Sequence, residues 1–171
     1  MLTSIANGNN VSSRNQSGDL TIGLGPIQLP KYLDRSPLVI RGDGSEVIIN
    51  DLHRWAEPLE DNFTRILAEN LYQLVNGIKV SLHPWRDQHD IDYQIIVTLY
   101  QFDTDIDGNV VMSSTWSILQ AGSDQLLYSR RTIINEKAGN PDYPALVDAQ
   151  SKAVEKLTRE IAEKLQEIIA G

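Results

Sequence analysis

The chain has 171 residues, of which 41% are apolar and none is cysteine, and its formal net charge is −8. This length predicts one domain that can bury a core without a metal or disulfide staple. The absence of cysteine excludes thiol catalysis, disulfides and zinc–cysteine sites. Nucleic-acid binding normally needs a basic face, so the acidic balance argues against it. The first residues lack the basic start and apolar core of a signal peptide. No apolar run approaches the roughly 20 residues that span a bilayer.

The N-terminal region is rich in Asn, Ser and Gly and has no hydrophobic periodicity. Such a composition cannot offset its own ordering entropy, so we predict a flexible tether over residues 1–18 and a single domain over residues 19–171. A first strand is predicted from Asp19 to Leu24. Gly25-Pro26 is expected to end it.

A corner between strand and helix is predicted at residues 54–59, whose sequence is Arg-Trp-Ala-Glu-Pro-Leu. Before it, the β-branched runs Leu38–Arg41 and Glu46–Ile49 flank a Gly-containing loop, which is typical of a hairpin. Pro58 stands at the start of the following apolar periodicity, where a helix best tolerates proline. Four residues of this corner, Arg54, Trp55, Pro58 and Leu59, are therefore candidate structural or interaction residues.

The helix after this corner is predicted over Leu59–Val75, because its apolar residues recur at i, i+3, i+4 and i+7. Asn76-Gly77 supplies a left-handed C-terminal stop. A short strand, an antiparallel meander and a long helix follow; they are predicted at Ile78–Leu82, Tyr93–Phe102, Val110–Leu119, Leu126–Ile134 and Pro144–Ile169. Polar residues on one face of the meander indicate that this face meets water or a partner. The predicted fold class is α+β, a mixed or antiparallel sheet with two main helices packed on one face.

Two i,i+4 ion pairs are predicted on the C-terminal helix, Glu155–Arg159 and Glu160–Lys164. Both have the acidic residue on the N-terminal side, which is the favourable order.

An acidic segment, residues 103–108, matches the opening of a calcium loop, with Asp at positions 1, 3 and 5 and Gly at position 6. Position 12 is Ser114 instead of the bidentate Glu, and the segment lies between two strands. Asp107-Gly108 between alternating runs is a typical hairpin turn. We therefore predict an acidic turn, with a calcium loop as the alternative.

No other pattern builds a catalytic, cofactor or metal site. The three histidines, His53, His83 and His89, do not pair at helical spacing, and no serine lies in a Gly-x-Ser-x-Gly elbow. Trp55 and Trp116 are predicted core residues, and the alternative for each is an interface with a partner or a second copy. From the residues alone we predict no catalytic residue, no cofactor and no metal ion.

Several segments together resemble the ABC-type transport auxiliary lipoprotein component family. They are the strand Leu38–Arg41, the Trp-Ala-x-Pro-Leu corner at residues 55–59, and the helical segment Arg65–Leu71. The strand Val97–Phe102, the Asp107-Gly108 turn and the Trp116 strand add to a resemblance that runs from about residue 20 to the end. The chain lacks the leader and the lipobox cysteine of that family. The expectation is that it begins just after the lipid anchor.

The resemblance implies a non-enzymatic lipoprotein at the periplasmic face of the outer membrane, held there by an N-terminal lipid. Its partners would be an MCE-domain substrate-binding protein and an ABC permease with its ATPase, which move lipids or other hydrophobic molecules between membranes. A homo-oligomer is left open. Two alternatives remain: a domain that itself holds a lipid between helix and sheet, and a metal-assisted hydrolase that uses the Asp103 cluster.

Overall fold

The computed structural model describes residues 1–5, 20–33, 37–41, 47–54, 58–85, 87, 90–105, 107–139 and 142–171, with the backbone alone for 37–41 and 47–54. Within these ranges, seven strands and two helices follow one another along the chain. The strands are β1 (Leu20–Gln28), β2 (Pro37–Arg41), β3 (Val47–Arg54), β4 (Ile78–Leu82), β5 (Tyr93–Asp105), β6 (Asn109–Gln120) and β7 (Gln125–Lys137). The helices are α1 (Leu59–Leu74), between β3 and β4, and α2 (Tyr143–Ala170), after β7.

The strands form one mixed sheet in which β5 has neighbours on both sides. On one side β5, β6 and β7 make the predicted antiparallel meander. On the other side the first part of β5 pairs in parallel with β1, which pairs in parallel with β4. The end of β5, at Thr104 and Asp105, pairs in parallel with β2, and β2 forms the predicted hairpin with β3.

Both helices pack on one face of this sheet, which confirms the predicted α+β class. The Phe63 ring of α1 meets the Phe102 ring of β5 edge-on, with centroids 6.0 Å apart. On α2, Glu160 accepts a hydrogen bond from Thr132 of β7 at 2.7 Å. The apolar stripes of the two helices are buried together with alternate residues of β5 and β6, such as Ile95, Val97 and Leu99. This alternation is the period-2 pattern of a strand with one face on the core.

The end of α1 has the left-handed glycine that the sequence predicted. Gly77 has a φ of +74°, and no atom lies within 4 Å of the position where a Cβ would stand. The glycine is needed for its left-handed backbone, not for space. Its carbonyl accepts the N–H of Leu20 at 3.0 Å, so the turn after α1 is tied to the start of β1.

The first strand differs from the prediction, because it does not end at Gly25-Pro26 but continues to Gln28. The pairing of β1 with β5 shifts register between Leu24 and Ile27, which absorbs the two turn-forming residues as an irregularity. Beyond the shift, Ile27 pairs with Val97 and is again buried. The prediction failed because a bulge inside a strand carries the same residues as a turn that ends one.

Candidate interaction surfaces

The predicted corner is described at its two ends. Arg54 is the last residue of β3 and pairs with Pro37, while Trp55 lies outside the described residues. Pro58 is exposed, and its carbonyl accepts the N–H of Asn62 at 3.1 Å, which begins the helical hydrogen bonds. Leu59 is buried in the core. Leu59 therefore has a packing role, and an interaction role for the other corner residues stays a prediction.

A cleft of about 320 Å³ lies beside this corner, between the start of α1, the β1 irregularity and the end of β4. Its lining consists of Leu24, Gly25, Pro26, Ile27, Glu60, Asp61, Thr64, Arg65, Leu82 and His83. Two carboxylates, a guanidinium and an imidazole thus stand among apolar side chains, and Arg65 is paired with Glu69 at 3.1 Å. Charges of both signs make this cleft a poor site for an acyl chain, because each would have to lose water to meet hydrocarbon.

Trp116, the other predicted structural or interaction residue, is a core residue with a polar link to α2. Its side chain is 1% exposed, and its ring lies 5.2 Å from the Tyr128 ring. The indole Nε1–H donates to Thr132 Oγ1 at 3.1 Å, and the Thr132 hydroxyl donates to Glu160 Oε2 at 2.7 Å. This chain of hydrogen bonds joins β6, β7 and α2, and it satisfies the one polar atom of a buried indole.

The ion pairs of α2 match one prediction and contradict the other. Arg159 pairs with Glu155 at 2.7 Å as expected. Glu160 does not pair with Lys164: its carboxylate turns to the sheet, where it accepts from Thr132 and lies 3.8 Å from Arg130. Helical spacing predicted a surface pair, but a tertiary hydrogen bond competes for the same oxygen.

The acidic turn satisfies the carboxylate of Asp105 with its own donors. Asp105 accepts the backbone N–H groups of Asp107 and Asn109 at 2.9 and 2.8 Å, and the Asn109 side-chain amide at 2.7 Å. Burial alone would raise the pKa of Asp105, but the Asn109 side chain and the two backbone donors together hold the pKa below its ordinary value of 3.8. This is the hydrogen bonding of an Asx turn, which is the reading that the sequence favoured.

Asp103 takes no part in that arrangement. It is buried, with Tyr32 donating to one carboxylate oxygen at 3.1 Å and Gln101 donating to the other at 2.9 Å. Asp103 and Asp105 therefore belong to separate local networks. Within the described ranges, no group of three His, Asp or Glu side chains is placed to hold a metal ion.

The N-terminal residues occupy an unexpected place, against the two helices. Leu2 is 2% exposed and belongs to the core cluster. Its N–H donates to Asn62 Oδ1 at 3.2 Å, the Thr3 N–H donates to Ser151 Oγ at 3.0 Å, and the Ile5 N–H donates to Asn70 Oδ1 at 2.9 Å. We call residues 1–5 the N-terminal strap. Residues 6–19 lie outside the described residues, so the flexibility of the tether there stays a prediction.

The spacing of the strap's partners fits an extended chain lying along α1. Asn62 and Asn70 are eight residues apart, which is about 12 Å along a helix axis. Leu2 and Ile5 are three residues apart, which is about 10 Å in an extended strand. Both Asn side chains are fully buried. This site was not predicted, although the sequence carries one signal for it, two Asn residues on the otherwise apolar face of a helix.

The sheet face opposite the helices is the second surface of interest; we call it the outer sheet face. Near β1 it is covered, because a Cβ on Gly23 would stand 2.6 Å from Ile91 Cδ1 and 3.1 Å from Trp85 Cζ3. Across β5, β6 and β7 it carries hydroxyl and amide side chains with a few large apolar ones. Tyr100 and Ile133 are 51% and 60% exposed. The Arg131 guanidinium lies over the Tyr100 ring, 5.6 Å from its centroid.

Neither helix has the combination of length and apolar character that crossing a membrane requires, among the residues that the structure describes.

Solved structures share this architecture. A protein described only as uncharacterized aligns with a TM-score of 0.77 and 22% identity, over 86% of this chain and 92% of its own. A protein from Xanthomonas campestris aligns with a TM-score of 0.71 and 15% identity, over 89% and 88% of the two chains. At these identities the likeness shows the α+β fold and not a function.

The family is shown by sequence. The model of the ABC-type transport auxiliary lipoprotein component family matches residues 2–162, from the strap into α2. The chain belongs to this family, and it is thereby classed with the auxiliary lipoproteins of ABC-type transport. The intermembrane transport lipoprotein PqiC of Escherichia coli K12 is 25% identical over 105 residues, which are 61% of this chain and 54% of PqiC. The chain thus spans about half the length of the curated relatives it matches.

Proposed function

We propose that this chain is a non-enzymatic lipoprotein subunit of an MCE-type ABC transport system. It is anchored by lipid at the periplasmic face of the outer membrane and takes part in moving lipids or other hydrophobic molecules between membranes. The observation that carries the proposal is the family match over residues 2–162, which covers the seven described strands, all of α1 and the first part of α2. The partial similarity to an intermembrane transport lipoprotein supports the same assignment.

The partners in this proposal are an MCE-domain protein and an ABC permease with its ATPase. An auxiliary subunit contributes surfaces rather than a reaction centre. Among the described residues, the outer sheet face is such a surface, because the large apolar side chains of Tyr100 and Ile133 are exposed there. Exposed apolar residues grouped on one face are a common feature of interaction sites.

The arrangement of the acidic residues supports a non-enzymatic role. A metal-assisted hydrolase built on the Asp103 cluster would need carboxylate oxygens that converge on one point. Asp103 and Asp105 instead accept hydrogen bonds from different neighbours, Asp103 from Tyr32 and Gln101, and Asp105 from the turn that follows it. Their oxygens are already occupied by donors that a metal would have to displace.

The second candidate, a domain that itself holds a lipid between helix and sheet, is disfavoured by the packing there. Phe63 of α1, Phe102 of β5 and Trp116 of β6 fill this space, and each is less than 2% exposed. A lipid chain in the same place would have to displace close-packed rings, at a cost of several kcal/mol. The open cleft beside α1 has charges of both signs among its lining residues.

The proposal is tested in the source bacterium with the native gene carrying a C-terminal tag. We expect the product to fractionate with the outer membrane and to incorporate labelled palmitate. A mild-detergent pull-down should recover the MCE-domain protein encoded in the same cell, with the permease and ATPase. Recovery of the lipoprotein without any MCE-domain protein would contradict the proposal. Native mass spectrometry of the purified chain examines the second candidate, and a stoichiometric lipid adduct would favour it.

The number of copies of this chain in the assembly is a separate quantity to measure. Sedimentation of the purified chain across a range of concentrations measures it directly. A homo-oligomer is compatible with an auxiliary subunit, since symmetric assemblies are the usual form of soluble oligomers.

A further inference from the structure

On the β5–β7 part of the outer sheet face, one cation lies beside two exposed apolar side chains. Arg131 and Ile133 are alternate residues of β7 and point to the same side of the sheet. Ser113 of β6 is the register partner of Ile133, and its Oγ accepts from Arg131 at 3.5 Å. Tyr100 is the residue skipped by the register shift between Leu99 and Gln101, and it meets Arg131 from β5.

Arg131 differs electrostatically from the other arginines whose side chains are described. Arg65, Arg130 and Arg159 each lie within 4.0 Å of a glutamate. In the described part of the chain, Arg131 contacts a tyrosine ring and a serine hydroxyl, and no carboxylate oxygen lies within 4.0 Å of its guanidinium. The chain holds 23 acidic against 15 basic residues, so acidic partners are plentiful elsewhere on the molecule. A guanidinium left without one is free to form a bidentate pair with a carboxylate of another molecule.

The contacts of the N-terminal strap lie on the other side of the sheet from this surface. The N-terminal strap hydrogen-bonds to α1 and α2, which lie on the opposite face of the sheet. The loop side chains Trp85 and Ile91 cover the outer face only beside β1, at Gly23. Within the described ranges, the chain covers the part of this face beside β1 with its own residues and leaves Tyr100 and Ile133 exposed on the β5–β7 part.

We propose that the outer sheet face around Tyr100, Arg131 and Ile133 docks the MCE-domain partner, through a segment of that partner that carries a carboxylate beside apolar side chains. The inference rests on the proposed function, because the identity of the partner comes from there. The chemistry comes from this surface: Arg131 binds the carboxylate, and the exposed Tyr100 and Ile133 bury apolar area next to it. Arg and aromatic residues together are typical of the energetic centre of an interface.

The first experiment measures binding of the full chain to the purified MCE-domain protein of the same bacterium by biolayer interferometry. We expect Arg131→Glu and Ile133→Glu each to weaken binding at least tenfold, and Arg131→Lys to weaken it less. Arg159→Glu is the matched control, since it reverses a charge on the helix side, and its affinity should stay within twofold. The wild-type affinity should fall as salt is raised, and Arg131→Glu should lose most of that dependence.

The outcomes separate this inference from the proposed function. If the wild-type chain does not bind the MCE-domain protein, the proposed function fails and takes the inference with it. If the wild-type chain binds and both outer-face variants bind equally well while their thermal unfolding is unchanged, the docking surface is wrong and the proposed function stands. A variant that unfolds at a lower temperature is replaced by Arg131→Gln, which removes the charge with less disturbance of the strand.

The second experiment is site-specific photocrosslinking in the cell, with the photoreactive residue at Tyr100 or at Tyr72. These two tyrosines are 51% and 52% exposed, on the outer sheet face and on α1 respectively. We expect the MCE-domain protein to crosslink at position 100 and not at position 72. Crosslinks at position 100 that join two copies of this chain, or crosslinks to the MCE-domain protein at position 72 alone, would overturn the inference.

Discussion

Replacement of Trp116 is the sharpest test of how the two helices are attached to the sheet. The ring is 1% exposed, contacts Tyr128, and donates its N–H to Thr132, which in turn donates to Glu160 of α2. Trp116→Ala leaves a large cavity at this junction, and buried aromatic residues replaced by alanine lose about 3–5 kcal/mol. A domain of this size has about 5–15 kcal/mol of stability in total, so the variant should lose a substantial fraction of it.

Trp116→Phe separates packing from hydrogen bonding. Phenylalanine keeps part of the ring volume but removes the N–H donor. The Thr132 hydroxyl still donates to Glu160, so only an acceptor loses its partner. We expect a loss of about 1–2 kcal/mol. Urea unfolding followed by far-UV circular dichroism is the assay, because the substitution itself changes tryptophan fluorescence.

Leu126→Ala is the control for the Trp116 series, since Leu126 is 58% exposed and should change stability by no more than about 0.5 kcal/mol. A Trp116→Ala variant within about 1 kcal/mol of wild type would refute the packing argument. If that variant also lost binding to the partner, Trp116 would belong to an interface instead.

Three further predictions concern local structures. Gly77→Ala should cost about 1–2 kcal/mol of unfolding free energy, because its φ of +74° favours glycine. Gly139→Ala is the control: its site is equally unobstructed and has no positive φ, so it should be near neutral. Equal melting temperatures for the two variants would refute this prediction. Asp105→Asn should cost roughly 1 kcal/mol at pH 7. The folded-state pKa of Asp105 is depressed, so its stabilisation is present above about pH 4 and is lost as the pH falls through the folded pKa. The unfolding free energies of wild type and variant, measured by urea titration, should therefore converge at acid pH. A constant difference between them at every pH would contradict the assignment. Asn70→Ala should lower the hydrogen-exchange protection of the Ile5 amide, with Gln73→Ala, exposed on the same helix, as control; unchanged protection would show that the strap is held by other contacts.

Local periodicity predicted most of the elements. The meander of β5, β6 and β7 alternates over most of its length, so both its existence and its buried face could be predicted from residues such as Ile95 and Val97. The start of α1 after Pro58 and its end before Gly77 follow from the positions where a helix accepts proline and glycine. These features depend on interactions within a few residues, which a single sequence contains.

Features that depend on distant pairing could not be predicted. The place of β1 between β4 and β5, parallel to both, is decided by packing of the whole sheet and leaves no local pattern. The role of Asn62 and Asn70 could not be predicted, because it depends on backbone N–H groups 60 and 65 residues earlier in the chain. Glu160 was assigned to a neighbour on its own helix, whereas Thr132 of β7 donates to it.

The interaction roles of Arg54 and Trp55 at the predicted corner stay predictions for a different reason. Trp55 lies outside the described residues, and only the backbone of Arg54 is described. A Trp55→Ala variant still distinguishes the two readings of this corner. Loss of about 3–5 kcal/mol would make the indole a core residue, and unchanged unfolding with lost partner binding would make it an interface residue.

The two sides of the sheet carry different kinds of contacts. On the helix side, surface charges of α2 pair with one another, as Lys152 does with Asp148 and Lys164 with Glu167, and the N-terminal strap uses the buried amides of α1. Substitutions there should change stability or the hold of the strap and leave partner affinity alone. On the outer sheet face, Arg131 and Ile133 contribute little to the core, so their substitutions should change affinity while leaving unfolding nearly constant. In the docking proposed above, the N-terminal strap lies on the helix side and the partner meets the outer sheet face.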